Sequence, residues 1–442
     1  MTVRVRVRRA GRLGAKVLAP GDKSISHRAL LFGALGTTPM QVRNLAPGAD
    51  VRSTGACLRA MGVSVVDGET PGTVTVRGAG PGGFRSPDSV LDCGNSGTTM
   101  RLLLGLVAGA RVGCTLDGDA SLRARPMRRV LGPLRAMGAR MKGQGGPGDE
   151  RAPLWVEPVP TLQGMSHRLP IASAQVKSAL VLAGLAADGE TRVREPELSR
   201  DHTERMLGAW GAPVRVEGGE VVATRLLVPL ALPESLDVPG DPSSAAFWVG
   251  AGLLVPQGSV MVGGVDVNPT RTGFLRVLER MGARVELEPE AARAGDPVAT
   301  VHVRGGQSLR GTEILPAEVP TLLDEIPLLA VVASQASGET RVTGARELRV
   351  KESDRLKQLV LGLRAMGADI DELDDGFVLR GPARLRAAEI EAAHDHRIAM
   401  SFAIAGLVAD GVTEIEGAEW ADISYPGFFR ELGTATSGAL EE

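Results

Sequence analysis

The sequence predicts two similar α/β domains, each made of three β-α-β-α-β-β repeats around buried parallel helices. Three observations predict this fold class. At 442 residues the chain is long for a single core, which favours two or more domains. Six apolar segments recur along it at near-constant spacing, and a second type of helix alternates with them.

Each of the six apolar segments begins with small polar residues, continues as an apolar helix, and stops at a glycine before a strand-like stretch. The segments begin 69 to 81 residues apart, at Ser24, Gly97, Ala174, Ser243, Asp324 and His396. Because these helices are apolar on nearly every side, we expect them to be buried all round, with the sheets outside them.

The second type of helix is amphipathic and ends at a glycine that leads directly into a strand. Five copies are clear and a sixth, near FFRELGTA, is degenerate. The five are LRAMGVSV, LRAMGARM, LGAWGAPV, LERMGARV and LRAMGADI, which end at Val65, Met141, Val214, Val285 and Ile370.

The tripeptide Pro-Gly-Asp occurs twice, just before the first and the fourth apolar segment. We interpret the two copies as the points where the chain crosses between domains. Residues 21–239 are then the first domain, and residues 1–20 plus 240–442 are the second. A two-strand hinge is expected near 20–21 and 239–240.

The composition argues against a nucleic-acid partner. The chain is 43% hydrophobic and 23% charged, with a net charge of −2. Surfaces that bind nucleic acid are usually basic. The N-terminal stretch lacks the apolar core of a signal peptide, and its alternating Val/Arg pattern predicts a strand with one charged face.

Residues 242–265 carry no charge and are long enough to span a membrane. Turn residues at 256–258 interrupt them, so we predict a buried helix followed by a strand, and no membrane association.

Cys57, Cys93 and Cys114 form no CxxC pair. This spacing predicts neither a disulfide framework nor a metal knuckle and fits a reduced, cytoplasmic protein.

Polar residues collect at the N-terminal ends of the six apolar segments. Helix N-termini favour phosphate and carboxylate groups, although Ser, Asp and Asn there are also ordinary caps. The added Lys and Arg residues favour a site for a multiply anionic small molecule, in a cleft between the domains. The residues are Lys23, Ser24, Arg28, Asn95, Gly97, Thr98, Arg101, Ser173, Gln175, Lys177, Asp241, Ser243, Ser244, Asp324, Asp395, His396 and Arg397.

Lysine is rare in this chain, which has 44 Arg and only 6 Lys. Lys23, Lys177 and Lys351 fall within the polar clusters, although coincidence would also account for this. A compact ammonium that can lose its proton is not replaceable by guanidinium. The stretch from Lys351 through Glu352 to Arg355 is either a salt-bridged helix start or a carboxylate set among cations that can move a proton.

The sequence contains partial matches to a cofactor motif and a metal site, but the residues around each match do not fit such a site. GAGPGG at 78–83 matches G-x-G-x-x-G, but Pro81 and the stretch after it do not open a helix. His394 and His396 have no third ligand cluster, and Arg397 follows directly. We expect neither a cofactor nor a metal.

Seven motifs together resemble the EPSP synthase family of enolpyruvyl transferases, in the family's order over nearly the whole chain. The resemblance implies two inside-out α/β domains and transfer of the enolpyruvyl group of phosphoenolpyruvate to the 5-hydroxyl of shikimate 3-phosphate, with release of phosphate. It also implies a cytoplasmic monomer of the shikimate pathway with small-molecule substrates and no cofactor. The motifs are PGDKSISHRALLFGAL, CGNSGTTMRLL, GDASLRARPM, SAQVKSALVLAGL, SRDHTERML, RVKESDRL and DHRIAMSFAIAGL.

The resemblance also implies residue roles. Asp324 takes the proton of the 5-hydroxyl, Glu352 protonates the methylene carbon, and Lys23 lies near the bond that breaks. Shikimate 3-phosphate is held by Lys23, Ser24, Arg28, Ser173, Ala174, Gln175, Ser199, Asp324 and Lys351. Phosphoenolpyruvate is held by Lys23, Asn95, Gly97, Arg125, Gln175, Arg355 and Arg397.

Three alternatives remain: a UDP-N-acetylglucosamine enolpyruvyl transferase, an enzyme similar to RNA terminal phosphate cyclases, and an inactive scaffold. The first resembles this chain less, because Ser24 and Ala120 replace its Asn and its reactive Cys. Family members often carry a lysine where this chain has Ile423, so one cation is missing on the phosphoenolpyruvate side. Gly97 has no side chain to exclude glyphosate, so we expect inhibition by it.

Overall fold

A computed structural model describes residues 2–146 and 148–441 of the chain. Besides the α-helices, this part contains 3-10 helices at Val319–Thr321, Leu323–Glu325, Arg346–Val350 and Ala418–Ile423. The α-helices are α1 Lys23–Gly33, α2 Ala49–Ala60, α3 Gly97–Gly109, α4 Ala120–Arg123, α5 Arg128–Ala136, α6 Ala174–Gly184, α7 His202–Ala209, α8 Pro242–Leu254, α9 Gly273–Arg280, α10 Ile326–Ser334, α11 Arg355–Ala365, α12 His396–Gly406 and α13 Phe428–Ala435.

The strands alternate with these helices along the chain. They are β1 Arg4–Arg8, β2 Arg12–Leu18, β3 Pro39–Arg43, β4 Ser64–Asp67, β5 Val74–Arg77, β6 Leu91–Asp92, β7 Cys114–Asp117, β8 Arg140–Gln144, β9 Arg151–Glu157, β10 Leu162–Gln163, β11 Ser166–Arg168, β12 Ala187–Asp188, β13 Thr191–Arg194, β14 Val214–Glu217, β15 Glu220–Ala223, β16 Ser235–Asp237, β17 Gln257–Asp266, β18 Val285–Arg293, β19 Asp296–Arg304, β20 Glu313–Ile314, β21 Gly338–Val342, β22 Asp369–Leu373, β23 Gly376–Gly381, β24 Glu389–Glu391, β25 Val412–Glu416 and β26 Leu440–Glu441.

The chain divides into two compact units. The first domain comprises Gly21–Pro239 and Ala292–Asp296, and the rest of the chain forms the second. The boundary predicted from the sequence differs at residues 292–296, at the tip of the β18–β19 hairpin. Ala294 is buried in the core of the first domain, and Asp296 Oδ2 lies 2.9 Å from His202 Nδ1. These contacts place the hairpin tip in the first domain.

The sheets of the first domain share one pattern. Their strand orders are β16-β3-β5-β4, β6-β7-β9-β8 and β11-β13-β15-β14. In each sheet the first two strands are parallel and the others antiparallel. A separate parallel pair joins β10 to β12. The edge strand of the first repeat, β16, comes from the far end of this domain.

The second domain repeats the pattern with strands from the N-terminus. Its sheets are β18-β19-β17-β2, β20-β21-β23-β22 and β24-β25-β1-β26. β2 lies parallel to β17, and β1 lies antiparallel to β25 with its valines buried and its arginines exposed. The predicted fold class is confirmed, as is the strand in the Val/Arg stretch.

Six helices are buried along nearly their whole length: α1, α3 and α6 in the first domain, and α8, α10 and α12 in the second. In α8 the run from Ser243 to Leu253 is entirely buried, and β17 follows it, as the sequence predicts. The Trp248 indole N–H of α8 donates to the Tyr425 hydroxyl at 2.9 Å. Among the described residues, no helix is long and apolar enough to cross a membrane.

Glycines allow the buried helices to approach closely. A Cβ at Gly105 of α3 would lie 2.2 Å from the carbonyl oxygen of Ala179 on α6, so the two backbones could not keep their separation. Gly132 of α5 differs, because nothing lies within 4 Å of a Cβ placed there.

These two glycines give opposite predictions. Gly105→Ala should lower the free energy of unfolding by about 1–3 kcal/mol, because α3 and α6 must move apart. Gly132→Ala should raise it by up to about 1 kcal/mol, because alanine is the better helix former. Urea unfolding measures both, and equal effects of the two substitutions would contradict this packing.

Candidate active site

In the first domain, the start of α1 is rich in polar contacts. The Asp22 carboxylate caps the helix by accepting the Ile25 N–H at 2.7 Å. The Lys23 ammonium lies 3.2 Å from Asp50 Oδ2 and keeps nearly half its side chain exposed. A partly exposed, paired ammonium at a helix N-terminus can reach an anionic ligand.

One turn further, Arg28 is buried and anchored to two other helices. It donates to the Thr203 hydroxyl of α7 at 2.7 Å and to the Ser178 hydroxyl of α6 at 2.8 Å. It also donates to the Ser24 carbonyl at 2.9 Å. Burial lowers the pKa of Arg28 to about 10, against the opposing effect of Glu204, so it stays charged at neutral pH.

The starts of α3 and α6 are joined through Gln175. Its Oε1 accepts from Arg101 Nη1 at 2.7 Å, and its Nε2 donates to the Thr98 hydroxyl at 3.0 Å. Beside them Asn95 accepts from Arg125 Nη2 at 2.6 Å. Gln175 is 77 residues from Thr98 and 74 from Arg101, so this hydrogen-bonded group forms only because α3 and α6 pack together.

Gly97 lets two guanidinium groups approach the start of α3. A Cβ there would lie 2.8 Å from Arg101 Nη1 and 3.2 Å from Arg125 Nη1. Any larger residue would have to displace these groups. The glycine thus keeps positive charge close to the N-terminal N–H groups of the helix.

Ser173 and Ser199 both donate hydrogen bonds to Glu195, a residue that was not identified from the sequence. Ser173 caps α6 by accepting the Val176 N–H at 3.4 Å, and its own N–H donates to Glu195 Oε1 at 2.7 Å. The Ser199 hydroxyl also donates to Glu195, at 2.8 Å. Glu195 follows β13 directly and carries a buried side chain.

In the second domain, Asp324 lies among arginines. Its carboxylate is 3.4 Å from Arg355 Nη1 and 3.8 Å from Arg397 Nη2, and its carbonyl accepts from Arg397 Nη1 at 3.0 Å. Asp324 belongs to the 3-10 turn Leu323–Glu325 that precedes α10, and not to the helix itself.

Arg355 is the centre of this cluster and is almost fully buried. It pairs with Asp395 at 2.7 Å and with Glu352 at 2.6 Å, in addition to Asp324. Burial opposes its charge, but the three carboxylates together raise the pKa of Arg355. Asp395 also caps α12, since it accepts the Arg397 N–H at 2.9 Å.

Glu352 and Lys351 lie in the loop before α11 and face different partners. Glu352 is about one third exposed and bonds to Arg355. Lys351 pairs with Glu347 at 3.3 Å. The structure therefore brings Asp324, Glu352, Arg355 and Arg397 into one cluster, whereas Lys351 lies beside it on another carboxylate.

Comparison with known proteins identifies the family. The family model described as EPSP synthase (3-phosphoshikimate 1-carboxyvinyltransferase) matches residues 7–432. The chain belongs to the EPSP synthase family.

Relatives and solved structures agree with this membership. The chain is 50% identical over 427 residues to the 3-phosphoshikimate 1-carboxyvinyltransferase of Synechococcus sp. (strain RCC307), covering 96% of this chain and 97% of that protein. It is 51% identical over 428 residues to that of Gloeobacter violaceus, covering 96% of each. The structure of EPSP synthase from Acinetobacter baumannii has a TM-score of 0.91 and 40% identity, covering 100% of this chain and 99% of that one.

Several polar groups of this EPSP synthase family member were not identified from the sequence as functional. Besides Glu195, they include Arg200, whose Nη1 lies 3.5 Å from Ser24 Oγ, and Arg271, which donates to Ser243 Oγ at 3.0 Å. For Glu195, the one available signal was its position at the end of a strand. Its partners Ser173 and Lys177 lie in another segment of the chain. The sequence alone does not show that this segment contacts Glu195.

Two buried histidines stand beside these groups. Burial lowers the pKa of His27 to about 3, and burial together with Arg397 and Arg355 lowers the pKa of His396 to about 3. Both are neutral at pH 7. His27 Nδ1 bonds to the Thr54 hydroxyl at 2.7 Å. Burial also raises the pKa of Glu325, although Arg271 and Arg397 oppose the shift.

The histidines predict acid sensitivity. Between their unfolded pKa of 6.5 and about 3, the unfolded chain binds more protons than the folded one. The free energy of unfolding should therefore fall as pH is lowered through this window, by about 1.4 kcal/mol per pH unit for each histidine.

Replacement of His27 tests this. His27→Gln stays neutral and can still bond to Thr54, so its free energy of unfolding should fall less steeply between pH 6 and pH 4 than that of the wild type. Urea unfolding at several pH values measures the slopes, with His302→Gln, at a partly exposed position, as the control. A wild-type slope in His27→Gln would show that His27 is protonated normally in the folded state.

Proposed function

We propose how this member of the EPSP synthase family divides its reaction between its two domains. The enzyme transfers the enolpyruvyl group of phosphoenolpyruvate to shikimate 3-phosphate in the biosynthesis of aromatic amino acids. In the proposal, the first domain supplies most of the groups that hold the substrates, and the second supplies the acid and the base. The acid–base cluster around Asp324 is the observation that carries it.

The first domain would hold shikimate 3-phosphate through Ser173, Ala174, Gln175 and Ser199, together with Lys23, Ser24 and Arg28 of the α1 end. Support comes from how firmly these groups are held. Arg28 is fixed by two hydroxyls, and Gln175 by contacts to α3. Groups that are fixed before the ligand arrives lose little entropy when it binds. Asp324 and Lys351 of the second domain complete this set.

Phosphoenolpyruvate would be held mainly by arginines. Arg125, Arg355 and Arg397 would face its phosphate and carboxylate, with Lys23, Asn95, Gly97 and Gln175 beside them. Arginine binds both anions through paired N–H groups. Arg355 and Arg397 already share the Asp324 carboxylate, so their charges are arranged before the substrate binds.

The chemistry would need one base and one acid. Asp324 takes the proton of the 5-hydroxyl of shikimate 3-phosphate while the hydroxyl oxygen bonds to C2 of phosphoenolpyruvate. Glu352 adds a proton to the C3 methylene. In the resulting tetrahedral intermediate, C3 returns a proton to Glu352 as the C2–O bond to phosphate breaks. The Lys23 ammonium stabilises the charge that develops on the departing phosphate.

We further propose a cytoplasmic monomer without a nucleic-acid partner. The three cysteines are free thiols, as a reducing compartment would keep them. The net charge of −2 does not favour nucleic acid. Gel filtration and salt-dependent RNA binding test the two points directly.

Phosphate release tests the reaction itself. Purified protein should release phosphate from phosphoenolpyruvate with shikimate 3-phosphate and not with UDP-N-acetylglucosamine. Release with the sugar nucleotide alone would identify the other enolpyruvyl transferase. No release with either acceptor would favour the inactive scaffold.

Loss of the base or the acid should lower kcat strongly. Asp324→Asn and Glu352→Gln should each reduce kcat about 10²–10⁴-fold, the usual contribution of a positioned acid or base. Asp369→Asn is the control, because it alters an exposed carboxylate paired with Arg380 and should leave kcat unchanged. A kcat within threefold of wild type in either active-site variant would remove that residue from the proposed mechanism.

Gly97→Ala should weaken binding on the phosphoenolpyruvate side. The added methyl group must displace the ends of Arg101 and Arg125, so the KM for phosphoenolpyruvate should rise and inhibition by glyphosate should weaken. Gly82→Ala, where nothing lies within 4 Å of the new Cβ, is the control. If the KM for phosphoenolpyruvate and the inhibition by glyphosate are unchanged in Gly97→Ala, the guanidinium groups of Arg101 and Arg125 can move aside without affecting binding.

A further inference from the structure

A buried group of three charges lies next to the two serines of the first domain. The Lys177 ammonium is 2.8 Å from Glu195 Oε2 and 2.9 Å from Glu204 Oε1. The side chains of all three residues are at most 6% exposed. They join the first turn of α6, the end of β13 and the first turn of α7.

Glu195 differs from Glu204 in what else it holds. Glu195 accepts the Ser173 N–H at 2.7 Å, the Ser199 hydroxyl at 2.8 Å and the Ser199 N–H at 3.4 Å. It therefore ties the loop that carries Ser199 to the residue that caps α6. Among the described residues, Glu204 contacts the same ammonium but neither serine.

Stability alone does not explain this group. Burying three charges costs desolvation energy, and well-packed apolar residues are often as stable as a buried ion pair or better. An isolated pair would also suffice to neutralise Lys177. The second carboxylate, Glu195, stabilises the N-terminus of α6, but it also bonds to Ser199 outside that helix. Both of its serine partners are residues that we assign to shikimate 3-phosphate.

We propose that Glu195 is a positioning residue for the 3-phosphate of shikimate 3-phosphate. This inference rests on the proposed assignment of Ser173 and Ser199 to that substrate. The Lys177 ammonium, 2.8 Å away, fixes the Glu195 carboxylate. Glu195 then fixes both serines beside one carboxylate, where both can face the same phosphate group.

Each of the two serine hydroxyls has a proton that it can donate to a phosphate oxygen. The Ser173 hydroxyl accepts the Val176 N–H, so its own proton can be donated to a phosphate oxygen. Ser199 has one hydroxyl proton, which it donates to Glu195 in this structure. Phosphate binding turns that proton from Glu195 to the phosphate, while the Ser199 N–H keeps its bond to the carboxylate.

The test compares two ligands that differ only in the phosphate. Calorimetry measures the affinity of wild type and Glu195→Gln for shikimate 3-phosphate and for shikimate. Glutamine keeps the shape and leaves Lys177 paired with Glu204. Its affinity for shikimate 3-phosphate should fall about tenfold, the usual effect of losing one charge-assisted hydrogen bond. Its affinity for shikimate should stay within twofold.

Three further variants separate positioning from a general structural role. Glu204→Gln removes a buried charge from the same ammonium and should leave the ratio of the two affinities unchanged. Ser199→Ala should lower affinity for shikimate 3-phosphate, and adding Glu195→Gln to it should have less effect than in the wild type, because Glu195 acts in part through Ser199. Glu195→Asp, which keeps the charge but withdraws the carboxylate by one methylene, should also weaken phosphate binding.

Every other outcome overturns the inference. Equal weakening of both ligands in Glu195→Gln would indicate a general structural role, and tighter binding of shikimate 3-phosphate would show that repulsion outweighs positioning. If Glu195→Gln does not fold, an unchanged affinity ratio in Glu195→Asp overturns it. By contrast, an unaltered affinity in Ser173→Ala and Ser199→Ala would refute the assignment of the serines, and no binding by the wild type would refute the proposed function.

Discussion

Burial of six helices along nearly their whole length is the constraint on which this protein depends. A helix that is covered on every side can carry a charged group only where bonding partners replace its lost hydration, as they do for Arg28 near the start of α1 and Lys177 near the start of α6. Its N-terminal N–H groups still need partners, and short polar residues such as Ser96, Ser173 and Asp395 supply them. Polar chemistry is therefore confined to the helix ends.

The charged groups at these ends are paired before any substrate arrives. Arg355 has three carboxylate partners, and Arg28 is fixed by hydroxyl groups of two other helices. Such pairing offsets the cost of burying the cations and fixes their direction. A substrate with phosphate and carboxylate groups then meets charges that need little reorganisation, which is the condition for strong electrostatic stabilisation of a transition state.

The features that could be predicted from the sequence are those that depend only on residues close together in the chain. The apolar helices, their caps and the amphipathic partners each occupy one continuous stretch, and the family motifs cover those same stretches. The roles of Glu195 and of the hairpin tip could not be predicted, because they depend on pairs distant in sequence, such as His202 and Asp296, which are 94 residues apart. The same holds for β16, which pairs with β3 from the other end of its domain. The roles assigned to individual site residues remain predictions.

In the proposed mechanism, a carboxyl group of the second domain moves a proton to and from the substrate. Turnover in D₂O, followed by mass spectrometry of the product's methylene group, tests it most directly. Wild type should place deuterium in that group, because Glu352 carries a solvent deuteron to C3 before the intermediate collapses. Glu352→Gln should lose this incorporation together with its turnover. Deuterium incorporation at the wild-type rate in Glu352→Gln would contradict the account.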